Sequence, residues 1–370
     1  MGSYTEQREN DLFSSWQWND ASDYTQVRSI LESQFRTFGD GLVDVMQEKA
    51  GCKIPDPLQY LSSKAKDAGV PMSAIASINT LKSWFSGGPR PKKGETSRKS
   101  IFAISFALRL DSCETANLFH KVYLDRAFDL RDPMEIVAYY CISRKLSWNR
   151  FSVLLNALPT SDGSDHTVYT SVLESQIINI KDDVALLHFI EKHQHNLSKR
   201  NVSAKVCLDR LLQKANTFAQ NEANDYFAQD YFKGSDRTSR SFTYEVIVGV
   251  SPSGEKGTMS VFKNADLPRE IKTRFPEAGS FSKKDPTYEE LRKMIILLYS
   301  YCFWYQMQHL NAEIDLDDYV SEVNAVLHEC GFSDLYVGNP FDWLFLYCTL
   351  EKNPLDTFRG ILAEALGIGD

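Results

Sequence analysis

Two stretches of this 370-residue chain say nearly the same thing 207 positions apart. Asp132-Pro-Met-Glu-Ile-Val-Ala-Tyr-Tyr-Cys-Ile-Ser-Arg-Lys lies without gaps on Asn339-Pro-Phe-Asp-Trp-Leu-Phe-Leu-Tyr-Cys-Thr-Leu-Glu-Lys, and the register holds to Leu155 and Leu362. Pro133/Pro340, Tyr140/Tyr347, Cys141/Cys348, Lys145/Lys352, Phe151/Phe358 and Leu155/Leu362 are identical, where average composition gives about one or two matches. Upstream, with insertions, Leu110-Asp-Ser-Cys-Glu-Thr and Ala127-Phe128 parallel Leu316-Asp-Asp-Tyr and Gly331-Phe332, and Arg98-Lys99 parallels Arg292-Lys293. Each copy reads as a basic helix start, an apolar helix, an acid-capped helix, a small-residue turn and a helix opened by Asp-Pro or Asn-Pro. A chain with such an internal repeat is expected to build one helical module twice.

The rest of the pattern is helical too. Ile30, Leu31, Phe35, Phe38, Leu42, Val45 and Met46 recur at three- and four-residue spacing, which predicts a helix from Val27 to about Lys49. Further helices are expected over Pro57–Ala68, Ala74–Phe85, Ser97–Leu110, Cys113–Phe128, Pro133–Arg144, Asp183–His195 and Ser203–Phe232, separated by breakers such as Gly-Gly-Pro-Arg-Pro and Arg-Asp-Pro. Phe242-Thr-Tyr-Glu-Val-Ile-Val-Gly-Val and Thr258-Met-Ser-Val-Phe flank a Ser-Pro-Ser-Gly turn and read as a single β-hairpin. The expected fold is mainly α: tandem modules joined by a helical linker region, with one hairpin. Its segments are an arm over 1–26 carrying Phe13, Trp16 and Trp18, a helical domain over 27–158, a helical connecting region over 159–241, and a hairpin plus second module over 242–370.

Charge and cysteine usage narrow the function. Forty-one basic against 49 acidic residues give a net charge of −8, so an anion-binding surface has to be local. Seven scattered cysteines with no Cys-x-x-Cys match neither a disulfide framework nor a zinc ribbon; they read as reduced, mostly buried thiols. The polar opening Met-Gly-Ser-Tyr lacks the apolar run of a signal peptide, so a cytoplasmic protein is expected. The apolar run Met294–Tyr305 is shorter than the ~20 residues of a membrane span and reads as a buried helix whose aromatics are core.

The most informative motif is Ser77-Ile-Asn-Thr-Leu-Lys-Ser-Trp-Phe-Ser-Gly-Gly-Pro-Arg-Pro91, followed by a helix containing Ile101-Phe-Ala-Ile-Ser-Phe-Ala-Leu-Arg-Leu. It resembles the Cro/lambda-repressor (XRE) class of helix-turn-helix domains, in which a recognition helix ends in Trp-x-x-Gly, a proline turn follows and an Ala-Leu-x-Leu helix closes the core. The continuation to Leu155 is similar to the tail of short helix-turn-helix proteins of bacterial mobile-element, prophage and phage-defence loci. The C-terminal copy, through Asn339-Pro-Phe-Asp-Trp, resembles the same tail. The resemblance implies a DNA-binding regulator with its recognition helix near 77–86. Leu81, Trp84 and Phe85 would anchor the inner face, with Ser77, Asn79, Thr80, Lys82 and Ser83 outward. Arg90, Lys92 and Lys93 add phosphate-binding charge, segment 82–99 holding six bases against Glu95 alone. The other reading is a helix-turn-helix-derived adaptor that binds protein and no DNA. On either, the C-terminal module serves self-association, a protein partner or signal input.

Other candidates are weaker. Lys263, Arg269, Lys272, Arg274, Lys283, Lys284, Arg292 and Lys293 form a second basic group that reads first as a solvated charge run. His193 and His195 lack metal-ligand spacing and read as charge at a helix C-terminus. Ser164-Asp165-His166 has triad letters without a nucleophile elbow. No phosphate cradle or catalytic signature occurs; no enzymatic activity, cofactor, metal or membrane partner is expected.

Overall fold

An arginine at the head of an apolar helix and a carboxylate at the head of a proline-opened helix, far apart in sequence, are drawn together twice in this fold. The structure, a computed structural model, describes residues 24–158, 175–197, 202–224, 240–249, 271 and 286–366. It is mainly α, with no strand among the described residues. It divides into two compact units, one over 36–200 and the other joining the residues up to 35 with 201–370.

The unit of residues 36–200 contains α2 (Phe38–Ala50), α3 (Pro57–Asp67), α4 (Met72–Ile75), α5 (Ile78–Phe85), α6 (Glu95–Leu108), α7 (Ser112–Asn117, continued by a π-turn Leu118–Tyr123), α8 (Pro133–Ser143), α9 (Trp148–Asn156) and α10 (Asp183–Leu197). The other holds α1 (Tyr24–Ser33), α11 (Val202–Glu222), α12 (Arg240–Val248), α13 (Tyr288–Leu310), α14 (Leu316–Glu329), α15 (Pro340–Leu350) and α16 (Pro354–Ala365). Each unit has its own apolar core. The first is centred on α6, buried from Ile101 to Leu108, and the second on α13, whose run from Met294 to Leu298 is buried as its apolarity predicts.

The single helix expected over Val27–Lys49 is two, one in each unit. Thr37 ends the run by capping α2: its hydroxyl accepts from the Asp40 amide at 3.1 Å while Asp40 reaches back to the Thr37 amide at 3.3 Å. Val27, Ile30 and Leu31 consequently bury in the core of α11, α13 and α15. The expected connecting region is likewise shared out, with α10 packing on α8 and α11 on α13. The strand expected from Phe242 is helix α12, with Phe242, Tyr244, Val246, Ile247 and Val248 all buried. Burial on several sides, rather than a half-wet sheet, explains its β-branched content. The second strand, from Thr258, lies outside the described residues, as do residues 1–23 of the arm expected over 1–26, whose last three residues open α1.

In the 36–200 unit Arg98 of α6 binds Glu135 of α8 through Nε (2.5 Å) and Nη2 (2.7 Å), and donates to the carbonyls of Arg126 (3.0 Å) and Ala127 (2.7 Å). The Asp129 amide completes the carboxylate at 2.6 Å. In the other unit Arg292 of α13 binds Asp342 of α15 at 2.8 Å through both Nη atoms and donates to the carbonyls of Ser333 (3.3 Å) and Asp334 (2.9 Å). The Tyr336 amide completes that carboxylate at 3.0 Å. Residues 126, 127, 129 and 135 thus play the parts of 333, 334, 336 and 342, all at the sequence offset of 207. Left-handed Leu124 (φ 55°) and Gly331 (φ 74°), which end the preceding helices, keep the same offset. The pairing of Ala127-Phe128 with Gly331-Phe332 drawn from residue type is therefore three residues out of register. Phe128 stacks on Phe102 of α6, whereas Phe332 meets Tyr288 at the start of α13.

Burial opposes the charge on Arg98, yet the hydrogen bond and charge of Glu135, with Asp125 at 3.1 Å, hold the guanidinium above its ordinary pKa. Removing one member of such a pair strands the other in the core, at a cost of about 3–5 kcal/mol, while an apolar pair of similar volume restores most of it where no other group loses a partner. Glu135→Leu alone should lower the urea midpoint by that equivalent, and Arg98→Met with Glu135→Leu should recover only part of it, because Asp125, the carbonyls of Arg126 and Ala127 and the Asp129 amide lose their partners. A single mutant as stable as the parent in urea unfolding would contradict the assignment.

Candidate nucleic-acid interface

The α3–α5 region is built by local rules. Lys64 and Lys66 occupy the last turn of α3, where cations suit the helix dipole. Gly69 (φ 68°) then reverses the chain, and the Val70 amide returns to the Ala65 carbonyl at 2.8 Å. The helix expected over Ala74–Phe85 comes in two pieces because Ala76 is extended and Ser77 caps α5. The Ser77 hydroxyl accepts from the Thr80 amide at 3.2 Å and lies 2.8 Å from the Thr80 hydroxyl.

Packing from beneath sets the position of α5. Leu81 and Trp84 are buried, and the Trp84 ring meets Phe38 of α2 edge-on at 4.8 Å. Gly39 lets the two backbones touch: a Cβ there would fall on the Trp84 carbonyl group, 2.6 Å from its carbon. Phe85 is half-buried against the same core.

The eight residues singled out by sequence have three different fates. Asn79, Lys82 and Lys92 are exposed and Ser83 is half-buried. Ser77 and Thr80 are exposed but bonded to one another in the cap. Arg90 and Lys93 turn inward. Arg90 Nη2 donates to the Arg36 carbonyl at 3.1 Å. Lys93 Nζ donates to the carbonyls of Tyr123 and Leu124 at the end of the π-turn and lies 4.2 Å over the Tyr123 ring. Although burial opposes ionisation of Asp125, Lys93, Arg98 and Arg126 hold its carboxyl below the ordinary range. Lys93 thus belongs to the same buried network as Arg98.

Sequence reasoning missed Ile78. It stands three residues before buried Leu81 and seven before Phe85, a spacing that ordinarily faces a core, but it is 61% exposed. The first turn of α5 overhangs the packing below. It also missed the extent of the acid-free segment: residues 68–94 contain neither Asp nor Glu, although the chain as a whole is acidic.

The remaining candidates do not assemble. Arg292 and Lys293 of the second basic group are buried, Arg292 in its clamp and Lys293 beside Glu289 (3.7 Å) and over the Phe341 ring (4.8 Å); the group's other six members, Lys263, Arg269, Lys272, Arg274, Lys283 and Lys284, lie outside the described residues. His193 is buried 4.6 Å from the Phe189 ring, and burial with neighbouring Lys192 lowers its pKa; this favours a neutral ring rather than a helix-terminal charge. The His195 side chain and Ser164–His166 lie outside the described residues. No group of three or more His, Cys, Asp or Glu suited to a metal occurs among the described residues, and no described helix is long and apolar enough to cross a membrane. Comparison with protein families, characterised proteins and solved structures finds no match to this chain.

These placements separate two kinds of cation. Arg90→Glu or Lys93→Glu should each cost about 1–3 kcal/mol of stability by stranding buried acceptors, whereas Lys82→Glu should change it by less than about 0.5 kcal/mol. Urea midpoints of the three variants check this; equal effects would contradict it.

Proposed function

We propose that this chain is a DNA-binding regulator that engages duplex DNA through the outward side of α5 and the following loop. The observation that carries this reading is the acid-free segment 68–94, which presents Asn79, Lys82 and Lys92 to solvent, with Ser83 half-buried beside them, in a protein of net charge −8. Such a local surface attracts a polyanion that the molecule as a whole repels. A helix carried on a rigid base can enter a major groove and read base edges with its first residues. Asn79 has the amide geometry for adenine N6 and N7, Ile78 offers an apolar surface to a thymine methyl, and Lys82 and Lys92 reach guanine edges or phosphates. Ser77 and Thr80 hold the helix start in place. The regulatory role and the mobile-element or phage-defence setting rest on the resemblance of residues 77–91 and of the tail.

The shared arginine clamp supports reading the two units as copies of one module, the C-terminal one serving self-association or signal input. A second reading, a helix-turn-helix-derived adaptor for a protein partner, is favoured by the inward turn of Arg90 and Lys93, which leaves fewer cations for phosphate. Charge reversal separates the two. Lys82→Glu with Lys92→Glu should abolish retention on immobilised duplex DNA at low salt while the circular dichroism of the variant matches the parent. Undiminished retention would rule out this face as the DNA-binding surface.

A further inference from the structure

Five of the seven cysteines are buried, and two of these, Cys207 of α11 and Cys330 at the end of α14, meet in one unit. Both sulfurs belong to the same buried core, and each thiol shifts the titration of the other. Arg210, one turn along α11, places Nη2 3.6 Å from the Cys207 sulfur and 3.2 Å from the carboxylate of Glu329. The side chains of that ion pair are about 60% exposed, so the Cys207 sulfur lies directly under surface charge, and Glu329 is the residue that precedes Cys330. Cys330 caps its helix just before left-handed Gly331, a position with more backbone latitude than a helix interior.

We propose that Cys207 and Cys330 form a peroxide-sensitive thiol pair, with Cys207 as the reacting sulfur and Cys330 as the resolving one. The chemistry of the pair is asymmetric. The neighbouring Cys330 thiol and the guanidinium of Arg210 outweigh burial and Glu329 and hold Cys207 below its ordinary pKa, while Cys330 is pushed up. Cys141 and Cys302, buried without such partners, are pushed up to about 12. The thiolate is the nucleophilic form, so the sulfur whose pKa is lowered is the one that reacts first.

The Cys207 thiolate attacks one oxygen of hydrogen peroxide, the O–O bond breaks, and the departing hydroxide takes up a proton to leave as water. Cys207 becomes a sulfenic acid. The Cys330 sulfur, losing its proton, then attacks the Cys207 sulfur and expels the sulfenic oxygen as water. Two thiols give up two electrons, one peroxide takes them, and one disulfide and two waters result. The bond would fasten α11 to the end of α14.

The test treats the full-length chain with equimolar hydrogen peroxide, blocks remaining thiols and maps peptides without reduction. The expected product links Cys207 to Cys330 within one chain and is lost on reduction with dithiothreitol. Cys330→Ser should leave a sulfenic acid at Cys207 that a dione probe captures, and Cys207→Ser should give neither product. Arg210→Gln should slow Cys207 alkylation at pH 7 by about fivefold through loss of thiolate. Oxidation confined to exposed Cys52 and Cys113, with Cys207 and Cys330 both recovered as thiols from the parent protein, would overturn the proposal.

Discussion

Each unit of this protein is closed by a buried arginine that holds a carboxylate with one side of its guanidinium and a pair of chain carbonyls with the other. Neither partner could stand in an apolar core alone; together, with a backbone amide on the second carboxylate oxygen, they leave little hydrogen-bonding capacity unmet. The consequence is positional. Arg98 ties α6 to the start of α8 and to the loop that leads from the π-turn into α8, so the loop from Arg126 to Asp129 is held by α6 on one side and by the helix it precedes on the other. Arg292 does the same for α13, α15 and residues 333–336. Lys93 and Asp125 extend the first clamp toward the end of the loop that follows α5, linking the candidate DNA-binding segment to the core.

Much of this was legible in the sequence, for reasons that particular residues make plain. Asp132-Pro and Asn339-Pro announce helix starts, since proline suits the first helical position and Asp or Asn caps it; both cap as expected. The repeat from Asp132 and Asn339 was readable because core positions such as Tyr140, Cys141 and Phe151 match their counterparts. The upstream register was not. It is fixed by backbone carbonyls that the arginines bind, and a carbonyl has no sequence signature. The break at Thr37 was signalled by Thr-x-x-Asp but masked by apolar residues that keep helical spacing across it, although those on either side face different cores. Helix α12 reads as a strand because its buried β-branched residues report burial rather than backbone geometry.

At the candidate site, residue type does not tell which side chains reach solvent. Lys92 and Lys93 are adjacent and chemically alike, yet one is exposed and the other is drawn to the carbonyls ending a π-turn. That difference depends on where Tyr123 and Leu124 lie, a long-range fact unavailable to local reading. Ile78 is the converse case: its spacing promises burial, and only the overhang of α5 beyond its support leaves it in solvent. The polar face that remains is smaller than composition suggested and better defined, because the cations that do not reach solvent help to hold the loop beside it.

A polyanion is the ligand proposed for a local surface on this acidic protein, and the dependence of binding on salt tests that proposal most directly. Affinity of the full chain for duplex from its own locus and for random duplex, measured across a salt series, should fall steeply with a log–log slope near −0.9 for each phosphate contacted, with a preference for its own duplex that survives as salt rises. Absence of binding to either duplex at low salt, or binding indifferent to salt, would contradict it.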